Sequence, residues 1–164
     1  MSKTLTFVRH GKSEWGSDSL SDIDRPLKQR GIDNSYEMAE RLLLKDIIPD
    51  LILTSTAARA MHTATIFSRI LKINSVNIIL NSNLYLTDPN TILEIANRTN
   101  NEISSLMIFG HNPAFTDIAN TFLDNRIHNM PTAGIASFKF KIDSWNGFYK
   151  SKPYHSFFDY PKNI

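Results

Sequence analysis

Leu5-Thr6-Phe7-Val8-Arg9-His10-Gly11 sets a short apolar run directly against an arginine, a histidine and a glycine. An apolar run bounded by charge in this way reads as a buried strand. Working outward, the pattern recurs. Leu51-Ile52-Leu53-Thr54 follows Pro49-Asp50 and leads into Ser55 and Arg59. Val76 to Leu80 reads as a third strand, and Leu106-Met107-Ile108-Phe109, the fourth, runs into Gly110-His111-Asn112-Pro113. Ile135 to Ile142 alternates apolar and polar residues, as a half-buried strand should. Helical patterns separate these runs. In Leu27–Leu44, Tyr36, Ala39, Leu42 and Leu43 fall at helical spacing, and Pro49 and Asp50 end that segment. Ala57–Leu71 is rich in Ala, Met and Ile at the same spacing. Asp88-Pro89 reads as a cap followed by a first-turn proline, opening Asn90–Arg98. Asn112-Pro113 repeats that signal and opens a helix to about Leu123. Strands separated by helices predict an α/β fold of three α/β/α layers around a mostly parallel central sheet. Ligands of such folds bind beyond the carboxyl ends of the strands.

The chain has 164 residues, which predicts one domain spanning 1–164. Its 18 Lys+Arg against 16 Asp+Glu leave a net charge of +2. The excess lies in residues 126–164, where Arg126, Lys139, Lys141, Lys150, Lys152 and Lys162 face only Asp143 and Asp159. Such a balance argues against nucleic acid as the partner, because a nucleic-acid binder needs a concentrated basic face. The basic end is either a solvated surface or an aid to docking an acidic partner. With no cysteine, disulfides, thiolate metal sites and cysteine nucleophiles are excluded. No apolar run approaches a membrane span, and the charged N-terminal run is too short for a secretion signal, so a cytoplasmic protein without membrane contact is expected.

The sheet would bring Arg9, His10, Arg59 and His111 together from three strand ends. Arginine's planar fork binds phosphate oxygens bidentately and keeps its charge near neutral pH. A neutral histidine nitrogen can attack phosphorus and form a covalent intermediate. A second histidine, cationic, can stabilise the equatorial oxygens during transfer. Gly11 would let the backbone approach the phosphate, and the helix after Asn112-Pro113 would aim its positive end at the anion. A metal centre is the rival use of paired histidines. It would want a third histidine or a carboxylate, and the neighbouring arginines would repel the cation. No metal and no cofactor are therefore expected.

These residues resemble the motifs of the histidine phosphatase (phosphoglycerate mutase-like) superfamily. Arg9-His10-Gly11 is similar to its RHG signature, Leu53–Ala64 to its SSPxxRAxQTA block, and Gly110–Pro113 to its third block. Asp24-Arg25-Pro26-Leu27…Gly31 is similar to its DRPLTxxG segment, and Tyr160-Pro161-Lys162 to the Pro-Lys ending of short members. Together with the short chain, the set resembles the SixA-type phosphohistidine phosphatases. The resemblance implies a phosphoglycerate mutase-like fold. It also implies His10 as the nucleophile, Arg9 and Arg59 as phosphoryl ligands, and His111 as the electrostatic stabiliser. Asn112, Ser13 and Lys12 are further phosphate neighbours, while Asp24 and Arg25 fix their loop.

The chain departs from the pattern at Thr56, where proline is usual, and at His62, near a usual Gln or Glu. It also lacks a clear general acid. Asp88 sits at a cap position and Glu14 in a polar loop. An alkyl phosphate needs a proton donor more than a phosphohistidine does, which favours N–P over O–P substrates. The expected function is a phosphatase with a phosphohistidine intermediate, acting on phosphohistidine in a partner protein. A small-molecule phosphomonoesterase and a non-catalytic phosphate-binding relative are the alternatives. The remaining motifs read as structural: His62 and His128 as surface or capping residues, Trp145-Asn146-Gly147 as a turn, and His155 among Tyr154, Phe157, Phe158 and Tyr160 as core packing.

Overall fold

A computed structural model describes residues 1–15 and 19–164. Among them, β1 (Lys3–Arg9), β2 (Leu51–Thr54), β3 (Ile78–Leu80), β4 (Ser105–Gly110), β5 (Ile135–Phe140) and β6 (His155–Asp159) form one sheet in the order β3-β2-β4-β1-β5-β6. The β3-β2-β4-β1 block is parallel, and β5 runs antiparallel to both β1 and β6. Four helices cover the sheet: α1 (Gln29–Leu44), α2 (Ala58–Leu71), α3 (Pro89–Asn97) and α4 (Ala114–Phe122). The fold is a three-layer, mostly parallel α/β/α architecture.

Strand alternation explains the layers, since successive side chains point to opposite faces. Leu5 and Phe7 of β1, Leu106 and Ile108 of β4, and Phe138 and Phe140 of β5 join one core with Ile92 of α3 and Phe115 and Ile118 of α4. Val8, Ile52, Met107, Phe109 and Ile135 point the other way, onto Met38, Ala39 and Leu42 of α1 and Ala64, Phe67 and Leu71 of α2. β5 is buried at all but one position rather than half-buried, because it lies inside the sheet with cores on both faces. The last aromatic segment is not core. It forms the edge strand β6, with Tyr154 and His155 exposed, Phe158 leaning on one core and Phe157 on the other. Trp145 lies in the connection before β6 but is fully buried, donating Nε1–H to the Ile103 carbonyl at 2.8 Å. The Tyr160–Asn163 tail is tied down by Arg41 of α1, which donates to the carbonyls of Tyr160, Pro161 and Asn163 and pairs with Asp159. No helix among the described residues is long and apolar enough to cross a membrane.

One feature of the topology places the site. β1 and β4 are neighbours at the centre, yet the chain leaves β1 toward β2 on one side and leaves β4 toward β5 on the other. The loops beyond their carboxyl ends therefore diverge, and such a switch point opens a crevice.

Candidate active site

The crevice holds a cavity of about 250 Å³ whose lining includes Arg9, His10, Arg59 and His111. Arg9 ends β1 and His10 follows it; Arg59 lies in the first turn of α2, and His111 follows β4. Lys12, Ser13 and Asn112 line the same cavity.

His10 is buried and donates Nδ1–H to the Gly11 carbonyl at 2.7 Å. A carbonyl only accepts, so the proton sits on Nδ1 and Nε2 keeps its lone pair. Burial above all, with the nearby His111, Arg59 and Arg9 charges against the Gly11 hydrogen bond, lowers its pKa to about 3. The ring is thus neutral over the physiological range. The peptide N–H of Gly11 donates to Thr63 Oγ1, which itself donates to the carbonyl of Arg59 one helical turn earlier. That chain links the His10 loop to α2. A Cβ on Gly11 would lie 2.7 Å from the carbonyl oxygen of Gly31, so the glycine lets its loop pack against α1.

His111 packs 5.1 Å from the His10 ring, centroid to centroid. Its Nε2 meets Ser55 Oγ at 2.8 Å, and its Nδ1 faces Arg59 Nη2 at 3.5 Å. A guanidinium only donates, so this arrangement leaves the ring proton on Nε2, donated to Ser55. Burial and Arg59 lower the His111 pKa to about 4. It is therefore neutral as it stands, not the cation the sequence reading expected.

Arg9 donates Nη1–H to the Met130 carbonyl at 2.8 Å, and Arg59 donates Nη1–H to the Asp22 carbonyl at 2.7 Å. The Nε atoms of both arginines are buried with no partner among the described residues. Such orphaned donors are costly unless another group satisfies them, and an oxyanion would.

Ser13 Oγ accepts from Arg25 Nη1. Arg25 fixes its loop as expected and stacks on Trp15 at 4.5 Å. Asn112 does not cap a helix. The Asn112–Pro113 peptide is cis, Pro113 occupies the cap position and α4 starts at Ala114. The Asn112 side chain donates to Asn129 and to the Met130 carbonyl and accepts from Thr116, so both ends of its amide are committed to the scaffold. Neither acid candidate lines the cavity. Asp88 is exposed and accepts from the Thr91 amide, the cap its sequence suggested. Glu14 is exposed.

Sequence reasoning missed Asp22, Tyr85, Leu86 and Thr132. Asp22 lines the cavity and pairs with Arg25 and Arg59, and Tyr85 donates its hydroxyl proton to it. Hydrogen bonds from Tyr85, Arg25 and Arg59 hold the Asp22 carboxyl ionised, down to about 2. A signal was present: Asp22 lies three residues before Arg25, just ahead of the recognised Asp24–Gly31 segment. Among the described residues, no three His, Asp or Glu side chains are grouped as a metal would require.

A neutral histidine with an unprotonated ring nitrogen, in a small cavity also lined by two arginines, suits a tetrahedral oxyanion, at the switch point of an α/β sheet. Residues 5–84 match the family model of the histidine phosphatase superfamily, branch 1. An uncharacterized protein of Mycobacterium tuberculosis is 30% identical over 139 residues, covering 79% of this chain and 84% of that one. The chain belongs to the histidine phosphatase superfamily. Its fold matches Agrobacterium tumefaciens SixA with a TM-score of 0.79 at 24% identity, over 94% of this chain and 97% of that one. It also matches the protein histidine phosphatase SixA complexed with tungstate, with a TM-score of 0.77 at 22% identity, over 98% of each chain. Phosphoglycerate mutases match more locally. The chain spans about a quarter of their length, as in Cutibacterium acnes, where the match is 36% identical over 66 residues, 39% of this chain and 26% of that one.

Proposed function

We propose that the chain is a phosphatase that carries the phosphoryl group on His10 Nε2 and takes it from phosphohistidine on a partner protein. The observation that carries this reading is the His10 ring, neutral and fixed in one tautomer by the Gly11 carbonyl, with the unprotonated nitrogen left for phosphorus. Arg9 and Arg59 bind the phosphoryl oxygens, each bringing a buried, unpartnered Nε–H as well as its charge. They supply the neutralisation a metal ion would otherwise give. An arriving phosphoryl anion offsets the Arg59 charge that holds His111 neutral, so His111 gains a proton and donates to the oxygens during transfer. Water then attacks phospho-His10. The P–N bond breaks, its electron pair returns to Nε2, and phosphate leaves.

The phosphohistidine assignment is supported by the acids. Asp88 is engaged as a cap, Glu14 lies outside the cavity, and Asp22 is held ionised. None is placed and protonated to serve an alcohol leaving group, whereas a ring nitrogen leaves without a proton from the protein. The test is His10→Ala, assayed on p-nitrophenyl phosphate and on a phosphohistidine protein, with an alkaline denaturing quench of the wild type. Both activities are lost and acid-labile phosphate is trapped on wild-type His10. Activity retained by His10→Ala removes it from the mechanism. Strong turnover of sugar phosphates with none of phosphohistidine moves the assignment to a small-molecule phosphomonoesterase.

A further inference from the structure

Asp22 is the only carboxylate lining the cavity among the described residues. Its Oδ1 accepts from Arg25 Nε at 3.0 Å and pairs with Arg25 Nη2 at 3.0 Å. Its Oδ2 takes Arg59 Nη2 at 3.1 Å and the Tyr85 hydroxyl. Its backbone carbonyl takes Arg59 Nη1 at 2.7 Å. Both terminal nitrogens of Arg59 are therefore turned to Asp22. An anion entering the cavity must compete for them, and the Asp22 Oδ2 that loses Arg59 keeps only the Tyr85 hydroxyl, which leaves room for another N–H in the same place. A phosphoester brings only negative charge. A phosphohistidine protonated on its far ring nitrogen brings an anion and a cation one ring-width apart.

We propose that the Asp22–Arg59 pair is a selectivity element: the phosphoryl group takes Arg59 from Asp22, and Asp22 accepts the far ring N–H of the substrate's phosphorylated imidazolium. This rests on the phosphohistidine reading above and names the residue that would enforce it. The step balances without a proton donor. His10 Nε2 bonds to phosphorus, the substrate P–N bond breaks, and its electron pair neutralises the substrate ring. That ring leaves as neutral imidazole, still protonated at the far nitrogen. His10 becomes the cationic phosphorylated ring, its Nδ1–H on the Gly11 carbonyl as before. Each ring holds its far N–H on an oxygen: Gly11 O for the enzyme's, Asp22 for the substrate's.

The test is Asp22→Asn, which keeps the shape and removes the charge. Vanadate affinity and the ratio of kcat/KM for phosphoimidazole over p-nitrophenyl phosphate are both measured. The Asp22 side chain is 44% exposed, so solvent screens it and effects on the order of tenfold are expected. Vanadate binds tighter, since its competitor for Arg59 is gone, while the phosphoimidazole ratio falls. Opposite signs separate this from damage to the loop, which weakens both. Asp22→Glu, which keeps the charge, stays nearer wild type on both measures. Weaker vanadate binding or an unchanged ratio in Asp22→Asn overturns the role of Asp22. Wild-type inactivity toward phosphoimidazole and a phosphohistidine protein alike overturns the substrate class itself.

Discussion

Gly31→Ala is the sharpest test of how the site is built, because two physical effects predict opposite signs. Gly31 lies in the first turns of α1, and alanine there should stabilise an isolated helix by about 1 kcal/mol. The structure reverses that expectation. A Cβ on Gly31 would lie 2.2 Å from the Lys12 carbonyl oxygen and 2.7 Å from the Lys12 nitrogen. These are backbone atoms and cannot turn aside. Carbon approaches a carbonyl oxygen no closer than about 3.3 Å, so the loop must retreat by roughly 1 Å. The retreat strains the 2.8 Å hydrogen bond from Lys28 N–H to that same carbonyl. Overpacking costs about 1–3 kcal/mol and a weakened hydrogen bond about 1 kcal/mol more, against about 1 kcal/mol of helix propensity. The net loss is about 2 kcal/mol, which lowers Tm by about 4–8 °C in a chain of this size. His10 lies two residues from Lys12, and a displacement of that size costs about 10²-fold in kcat/KM. Thermal melting and steady-state kinetics on one preparation read both effects. Gly147→Ala is the control: Gly147 has φ 76° with nothing near its Cβ position, so it loses about 1 kcal/mol of stability and no activity. A Gly31→Ala protein with wild-type Tm or higher and kcat/KM within about threefold would refute the reasoning.

Three further outcomes follow from the geometry. Unfolded histidines take up protons near pH 6.5, but folded His10 and His111 do so only at about 3 and about 4. Between those values the unfolded state binds more protons, so stability is complete above about pH 7 and falls as pH drops from 6.5 toward 3, as melts across that window should show. Activity on p-nitrophenyl phosphate should show no acid limb near 6.5 from His10, whose nucleophilic form persists well below it. Arg41→Ala releases the Tyr160–Asn163 tail and breaks pairs with Asp159 and Glu37. It should cost about 2 kcal/mol, read by urea unfolding, and expose the tail to proteolysis while kcat stays near wild type.

The strands were legible as local apolar runs, and Arg9, His10 and His111 because each ends or follows one, with Arg59 in the first turn of the helix after β2. Sheet order then makes distant strand ends neighbours. What was not legible depends on partners far away in sequence. Asp88-Pro89 and Asn112-Pro113 read identically, yet only Asp88 caps. The Asn112 amide is drawn instead to Asn129 and Met130, seventeen and eighteen residues on. Asp22 and Tyr85 sit at the ends of single 3-10 turns, too short to show periodicity, and meet only because the chain folds them over Arg59. The protonation of His111 was misread for a related reason. Its pKa is set by burial and by Arg59, and burial is a property of the assembled fold. The aromatic residues near the C-terminus have core composition but belong to an edge strand, and composition does not say which strand lies outermost.

The group that fixes the His10 tautomer is a main-chain carbonyl. Every amino acid carries that oxygen, so no substitution at position 11 deletes it; a mutation can only move it. Besides residue 11 itself, the positions able to do so are Gly31, packed behind it, and Thr63, which accepts from the N–H of the preceding peptide. The proton placement of the nucleophile is thereby insulated from drift in the genetic text, and its vulnerability is transferred to two residues that never touch the phosphoryl group. Variants damaged in catalysis should accordingly include changes at Gly31 and Thr63 that leave every charged side chain of the cavity intact.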